Sequence, residues 1–115
     1  MAGSMSTTTI MQAIENLTRL QGPILRRVPH PSRAGYELVT LHVSQTQAVQ
    51  GKADLLSRHR GSNLDVAVRA ELLRHVDASS GAQLDLRAKM TPDGALAEPH
   101  PEPGNFNVVA SPKPE

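Results

Sequence analysis

The sequence predicts a small, mainly β domain: either an antiparallel barrel or a sandwich of about five short strands, preceded by one amphipathic helix. Two observations predict this class. Apolar and polar residues alternate in several short segments, and turn residues separate those segments at intervals of about 10 to 20 residues. The chain has 115 residues, of which 38% are hydrophobic and only 2% are aromatic. We therefore expect one core of modest size, built from aliphatic side chains.

The N-terminal segment has the pattern of a helix over residues 9–21. It begins in a run of threonines, which are good helix N-caps, and Ile10, Ile14 and Leu17 then recur at helical spacing. A glycine and a proline follow, a combination that commonly ends a helix. The apolar stripe is narrow, so this helix is expected to dock on the domain rather than to be stable alone.

The predicted domain spans residues 9–110. Residues 1–4 precede a second methionine, Met5, and resemble the remnant of an expression tag. We expect disorder over residues 1–8 and in the proline-containing tail at 111–115.

Alternation of apolar residues predicts the strands. The first is expected over residues 36–50, where Val39 and Leu41 point inward, with a bulge near Leu38 because that residue has the opposite parity. The segment before it, residues 23–35, is rich in proline and arginine and is predicted to be an extended basic connector or edge segment. A short strand that includes Ile24, Leu25 and Val28 is the alternative for this segment. Further strands are expected at 53–60, 64–70, 84–90, 95–98 and 106–109.

Residues 70–77 fit either the end of a strand or a short helix. The order of the elements resembles an OB-like barrel, with strands at 36–50 and 53–70, a helix at 71–77 and a hairpin at 84–98. This resemblance rests on element order alone.

Composition and motifs exclude several classes of function. The chain has no cysteine, so disulfides, cysteine-based metal sites and thiol nucleophiles are excluded. The five histidines are scattered singly, and no phosphate-loop, dinucleotide-binding, nucleophile-elbow or zinc-protease motif occurs. We therefore expect no cofactor, no metal and no catalysis. No apolar stretch is long enough to span a bilayer, which predicts a soluble, cytoplasmic protein without a membrane partner.

The charges are unevenly distributed although the formal net charge is only +1. Residues 1–60 hold seven Lys or Arg and three Asp or Glu, whereas residues 91–115 hold one and four. Arginine forks suit phosphate recognition, which points to nucleic acid as the ligand. The predicted binding residues are six cations and one aromatic residue that can stack on a base: Arg26, Arg27, Arg33, Lys52, Arg58, Arg60 and Tyr36.

Two alternative functions stay open. The amphipathic helix, the proline-rich segments and open sheet edges also suit a protein-interaction module or a homo-oligomer. A small enzyme of unknown class is the second alternative. Salt distinguishes the first two, because phosphate binding weakens steeply with ionic strength and a strand-edge interface does not.

Overall fold

Seven strands wind into one sheet that closes on itself. The computed structural model describes residues 15–110. The elements are β1 (Thr18–Pro29), β2 (Tyr36–His42), β3 (Gln45–Ala48), a 3-10 helix (Ser57–His59), β4 (Asn63–Arg69), α1 (Ala70–Leu73), β5 (Gln83–Thr91), β6 (Gly94–Ala97) and β7 (Phe106–Val109).

Five of the strands form the barrel, in the order β1, β2, β4, β6, β5 and back to β1. All neighbours are antiparallel except β4 and β6, which are parallel. The two additional strands lengthen the sheet, β3 beside the first half of β1 and β7 beside the first half of β5. The prediction of a small β-barrel is confirmed, and the alternative prediction of a sandwich is wrong because β1 pairs with both β2 and β5.

The predicted N-terminal helix is wrong where the structure describes it, since residues 18–21 open β1. Thr18, Leu20, Gly22 and Ile24 are buried and alternate with less buried residues, which is the period of a strand. The helical spacing of the preceding isoleucines does not extend into this segment. The predictions for residues 1–14 and 111–115 lie outside the described residues.

Gly22 lies inside β1 and does not end a helix. A Cβ atom at this position would overlap the backbone carbonyl of His42, so only glycine allows β1 and the end of β2 to approach this closely. The segment predicted as a basic connector therefore supplies the second half of β1, up to Pro29, which confirms the alternative prediction of a strand containing Ile24, Leu25 and Val28.

The predicted bulge lies in β1 instead of β2. The pairing with β2 shifts between Ile24 and Arg26, which leaves Leu25 as the extra residue. The whole of β2 pairs with β4 without a shift, so the bulge near Leu38 is wrong. Leu38 has the opposite parity simply because it lies on the outside of the barrel.

Residues 53–60 form a loop, not the predicted strand. Asp54 turns the chain here: its carboxylate accepts hydrogen bonds from the Ser57 hydroxyl at 2.6 Å, the Ser57 amide at 3.1 Å and the Thr18 hydroxyl at 2.8 Å. Leu56 then enters the core and is fully buried. Local hydrogen bonds to the Asp54 side chain thus take the place of the backbone hydrogen bonds to a neighbouring strand that a β-strand would form.

The later elements match their predictions closely. Strands β4 to β7 lie within one or two residues of the predicted boundaries, and residues 70–73 form the short helix α1. The core is aliphatic, with Leu20, Ile24, Leu41, Leu84 and Leu86 among its largest fully buried side chains. Within residues 15–110, no helix has the length and apolar character required to cross a membrane.

Candidate functional site

One side of the barrel carries an unusual set of side chains. Val39 and Leu41 of β2 point into the core, so the alternate residues of β2 and their partners on β1 and β4 point outward. We call this surface the outer face. It consists of Arg26, Val28, Tyr36, Leu38, Thr40, His42, Asn63, Asp65, Ala67 and Arg69.

Strand pairing aligns the outer face in rows. Val28 pairs with Leu38, Leu38 with Ala67, and Ala67 with Leu96 of β6, which gives an apolar row across four strands. On one side of it Arg26 pairs with Thr40, and on the other Tyr36 pairs with Arg69 of β4. The apolar row is therefore bordered by Arg26, Thr40 and Asp65 on one side and by Tyr36 and Arg69 on the other.

Tyr36 is the aromatic residue of this face and is half-buried. The guanidinium of Arg33, in the loop between β1 and β2, lies 5.2 Å from the centroid of the tyrosine ring, within the range of a cation–π contact. Arg69 lies opposite Tyr36, and its Nε donates to the Pro99 carbonyl at 2.9 Å. Arg33 therefore lies against the ring, whereas the Arg69 side chain is bonded to the Pro99 carbonyl beside it.

Among the predicted binding residues, Arg27 is already engaged. It donates two hydrogen bonds of 2.8 Å to the Glu37 carboxylate and one of 3.2 Å to the Ala78 carbonyl. The hydrogen bond to Glu37 is the main reason that the pKa of Arg27 is raised. Arg27 therefore stabilises one end of the barrel, and its charge is compensated.

Lys52 is also paired, with Glu15, and this contact lowers the pKa of the Glu15 carboxyl. The pair lies away from the outer face, in a separate cleft. By contrast, Arg26, Arg33, Arg58 and Arg60 form no ion pair with any residue between 15 and 110.

The structure separates the remaining cations into two groups. Arg33 accompanies Tyr36 at the start of β2, whereas Arg58 and Arg60 lie in the loop before β4, next to the end of β2. There the Gly61 amide donates to the Val43 carbonyl at 2.7 Å. The seven residues of β2 separate Arg33 and Tyr36 from Arg58 and Arg60, a distance of roughly 20 Å at about 3.3 Å per residue. Arg26 lies between these groups, opposite Thr40.

A cleft of about 530 Å³ adjoins the outer face. It lies between the β1–β2 loop and the β5–β6 turn, and we call it the loop cleft. Arg33 and Asp93 contribute opposite charges to its wall, and Ala67 and Leu96 extend the apolar row into it. The surface therefore continues from an open face into a concave site.

The polar groups of the outer face bond to each other and are not arranged as a catalytic or metal-binding site. The Thr40 hydroxyl donates to Asp65 at 2.6 Å, and His42 Nδ1 lies 2.9 Å from Asn63 Oδ1. Within the part of the chain that the structure describes, no group of three or more His, Asp or Glu side chains is arranged to hold a metal ion. The arrangement can bind an anionic ligand that also has apolar surfaces.

Sequence reasoning did not identify Val28, Leu38 and Leu96 as site residues. The opposite parity of Leu38 signals that this residue lies on the outside of the barrel, but a single apolar surface residue does not identify a site, and the contiguous row appears only after the strands are aligned. Leu96 joins the site only through the parallel pairing of β4 and β6, which local sequence does not reveal.

The chain matches no family model, and no curated protein and no solved structure is significantly similar to it.

Proposed function

We propose that this protein binds single-stranded nucleic acid across the outer face. The main support is the position of Tyr36 beside an apolar row, with Arg33 against one face of its ring and with Arg26 and Arg33 free of ion pairs within residues 15–110. Bases stack on aromatic rings, and arginine forks bind phosphates, so both parts of a nucleotide have a partner here.

The barrel topology also favours this proposal. The strand order, the parallel pair β4–β6 and the short helix between the third and fourth barrel strands correspond to an OB-type barrel. In OB folds the second and third strands and the adjoining loops bind oligonucleotides. These elements are β2, β4 and the two loops that form the loop cleft.

A single strand fits this surface better than a duplex. In a duplex the bases are stacked on each other, so the row formed by Val28, Leu38 and Leu96 would face phosphates. An unpaired strand can turn its bases toward the row and Tyr36 while its phosphates reach Arg26 and Arg33.

Fluorescence anisotropy with labelled oligothymidine and with a duplex, at low and near-physiological salt, tests the proposal. We expect micromolar or tighter binding of the single strand. The double variant Arg26→Ala/Arg33→Ala should bind at least about tenfold more weakly. Its salt slope, the slope of the logarithm of the binding constant against the logarithm of the salt concentration, should become shallower by about 0.7 for each phosphate contact removed. Arg74→Ala, which has the same change of charge per site but lies outside the face, is the control. Absence of binding at low salt would overturn the proposal.

Tyr36 and the distant arginines have separate variants. Tyr36→Ala should cost about 1 to 3 kcal/mol of binding free energy, and Tyr36→Phe should retain most of it because stacking needs only the ring. Arg58→Ala/Arg60→Ala tests whether the strand reaches the far end of β2. An unchanged affinity would remove these two residues from the binding surface while leaving the outer face in place.

Assembly through β7 is the second candidate function. This strand pairs with β5 along one edge, and no strand between residues 15 and 110 covers its other edge. Residues 105–110 carry no charge, and Val109 is 64% exposed. Uncharged edges pair readily with another strand, and a two-fold pair of β7 strands would bring no like charges together.

Sedimentation velocity over a range of concentrations tests this candidate. We expect a dimer that Val109→Lys dissociates, because two-fold symmetry places the new charges close together. Val76→Lys, at another exposed apolar residue, should leave the dimer intact. A wild-type monomer at about 100 μM, well above the affinities typical of specific complexes, would exclude assembly through β7.

A further inference from the structure

We propose that the bound strand continues beyond the outer face into a second cleft, where Lys89 contacts a phosphate and Leu96 separates two nucleotide positions. This inference rests on the proposed function. The second cleft has a volume of about 720 Å³ and lies between the start of β1 and the β5–β6 hairpin. It was not expected from the sequence.

The two clefts adjoin each other. Thr91 and Leu96 line both the loop cleft and the second cleft, so a ligand that passes over Leu96 moves directly from one into the other. Lys89 pairs with Leu96 and therefore extends the row that begins at Val28. From β1 to β5 this row crosses four strand spacings, about 19 Å in all at about 4.8 Å each. Such a path suits a ligand of several nucleotides.

The charges of the second cleft favour a phosphate. Its two carboxylates are both compensated: Glu15 contacts Lys52, and Glu98 accepts hydrogen bonds of 2.9 and 2.6 Å from Arg87. Lys89 is exposed and forms no ion pair within the described chain. Lys89 also helps Lys52 to lower the pKa of Glu15, so the two lysines share this carboxylate and one positive charge is left over in the cleft.

The remaining wall is apolar. Leu17, Met90 and Pro92 join Leu96 around the cleft, and Leu17 and Met90 are half-buried. Asn16 fixes this region, since its side chain donates to the Met90 carbonyl at 3.2 Å and accepts from the Met90 amide at 2.6 Å. A base has an apolar surface to contact, and the cleft is held open by a pairing that does not involve Lys89.

Two charge changes with matched controls test this inference by anisotropy on oligothymidines of increasing length. Lys89→Ala should weaken binding of the longer oligomers about threefold to tenfold, reduce the salt slope by about 0.7 and leave the shortest bound oligomer unaffected. Glu15→Gln should do the reverse and tighten binding of the longer oligomers, because it frees Lys52 in the same cleft.

Arg74→Ala and Glu71→Gln make the same two charge changes at an ion pair outside the site and should have no effect. If the wild type binds single strands but both cleft variants bind every length as the wild type does, the inference is wrong and the proposed function stands. An equal loss for short and long oligomers in Lys89→Ala would also overturn it. If the wild type binds no single strand, the proposed function fails, and this inference fails with it.

Discussion

The two sides of the barrel use the same kind of residue in opposite ways. On the β5 side, Arg19 donates to both oxygens of Asp85 at 2.8 and 2.7 Å, and Arg87 is paired equally closely with Glu98. These carboxylates raise the pKa of both arginines. Arg26 of the outer face and Arg33 of the adjoining β1–β2 loop have no such partner within residues 15–110.

The difference shows that the number of cations is a poor guide to a binding surface. Paired arginines connect strands and present little net charge, whereas unpaired ones maintain a positive field that attracts phosphates. The near-zero net charge of the chain is therefore compatible with a localised positive surface. The following variants test this comparison.

Gly22→Ala should have the largest effect, because β1 belongs to both sides of the barrel. The new methyl group would collide with the His42 carbonyl, and we expect a loss of more than about 4 kcal/mol in the free energy of unfolding. Urea denaturation followed by circular dichroism measures it. Gly35→Ala is the control: its φ of 80° is strained for alanine, but the space around it is open, so a loss of only about 1 to 3 kcal/mol is expected. Equal losses would contradict the close approach.

Arg26 and Arg27 are neighbours with opposite predicted roles. Arg27→Ala should reduce the free energy of unfolding by about 1.5 to 3 kcal/mol, because it removes charged hydrogen bonds from a side chain that is only 29% exposed. Arg26→Ala should change stability by less than about 0.5 kcal/mol and weaken oligonucleotide binding. Thermal unfolding and anisotropy on the same two variants measure both quantities. A binding loss confined to Arg27→Ala would reverse the assignment.

A smaller loss of stability than at Arg27 is expected at Asp54, which orders the loop that carries Arg58 and Arg60. The Ser57 hydroxyl, the Thr18 hydroxyl and backbone amides lower the pKa of this carboxyl. Its contribution is present above the unfolded pKa of about 4 and is lost as pH falls through the lower folded value. Asp54→Asn should therefore cost about 1 kcal/mol or less at neutral pH, and this cost should disappear in acid. Urea titrations at pH 7 and pH 3 compare the two. A difference that is independent of pH would contradict this explanation.

The sequence was most informative where one face of a strand is buried and pairing is local. Residues 64–70 and 84–90 alternate cleanly, and the turn at 91–94 has the expected proline and glycine, so β4, β5 and β6 were predictable. Gly22 was wrongly predicted to end a helix, because glycine is required there by the close approach of the His42 carbonyl, twenty residues later in the chain.

The site was predictable only in part, for a similar reason. Arg26, Arg33 and Tyr36 were found as residue types, but whether a cation is free depends on contacts across the fold. The charge of Lys52 is compensated by Glu15, which is 37 residues away in the sequence and contacts Lys52 only in the folded chain. The apolar row likewise exists only once β1, β2, β4 and β6 are aligned.

The closure of the barrel has a consequence for motion. Strands β4 and β6 meet through only two residue pairs, Val66 with Ala95 and Ala67 with Leu96, whereas the other barrel pairs are longer. We expect this seam to open more often than the rest of the barrel, so that the amides of β6 exchange hydrogen fastest among the barrel strands. A strand of nucleic acid lying over Ala67 and Leu96 would bridge the seam, and binding would then slow exchange at a place where the protein alone is loosest.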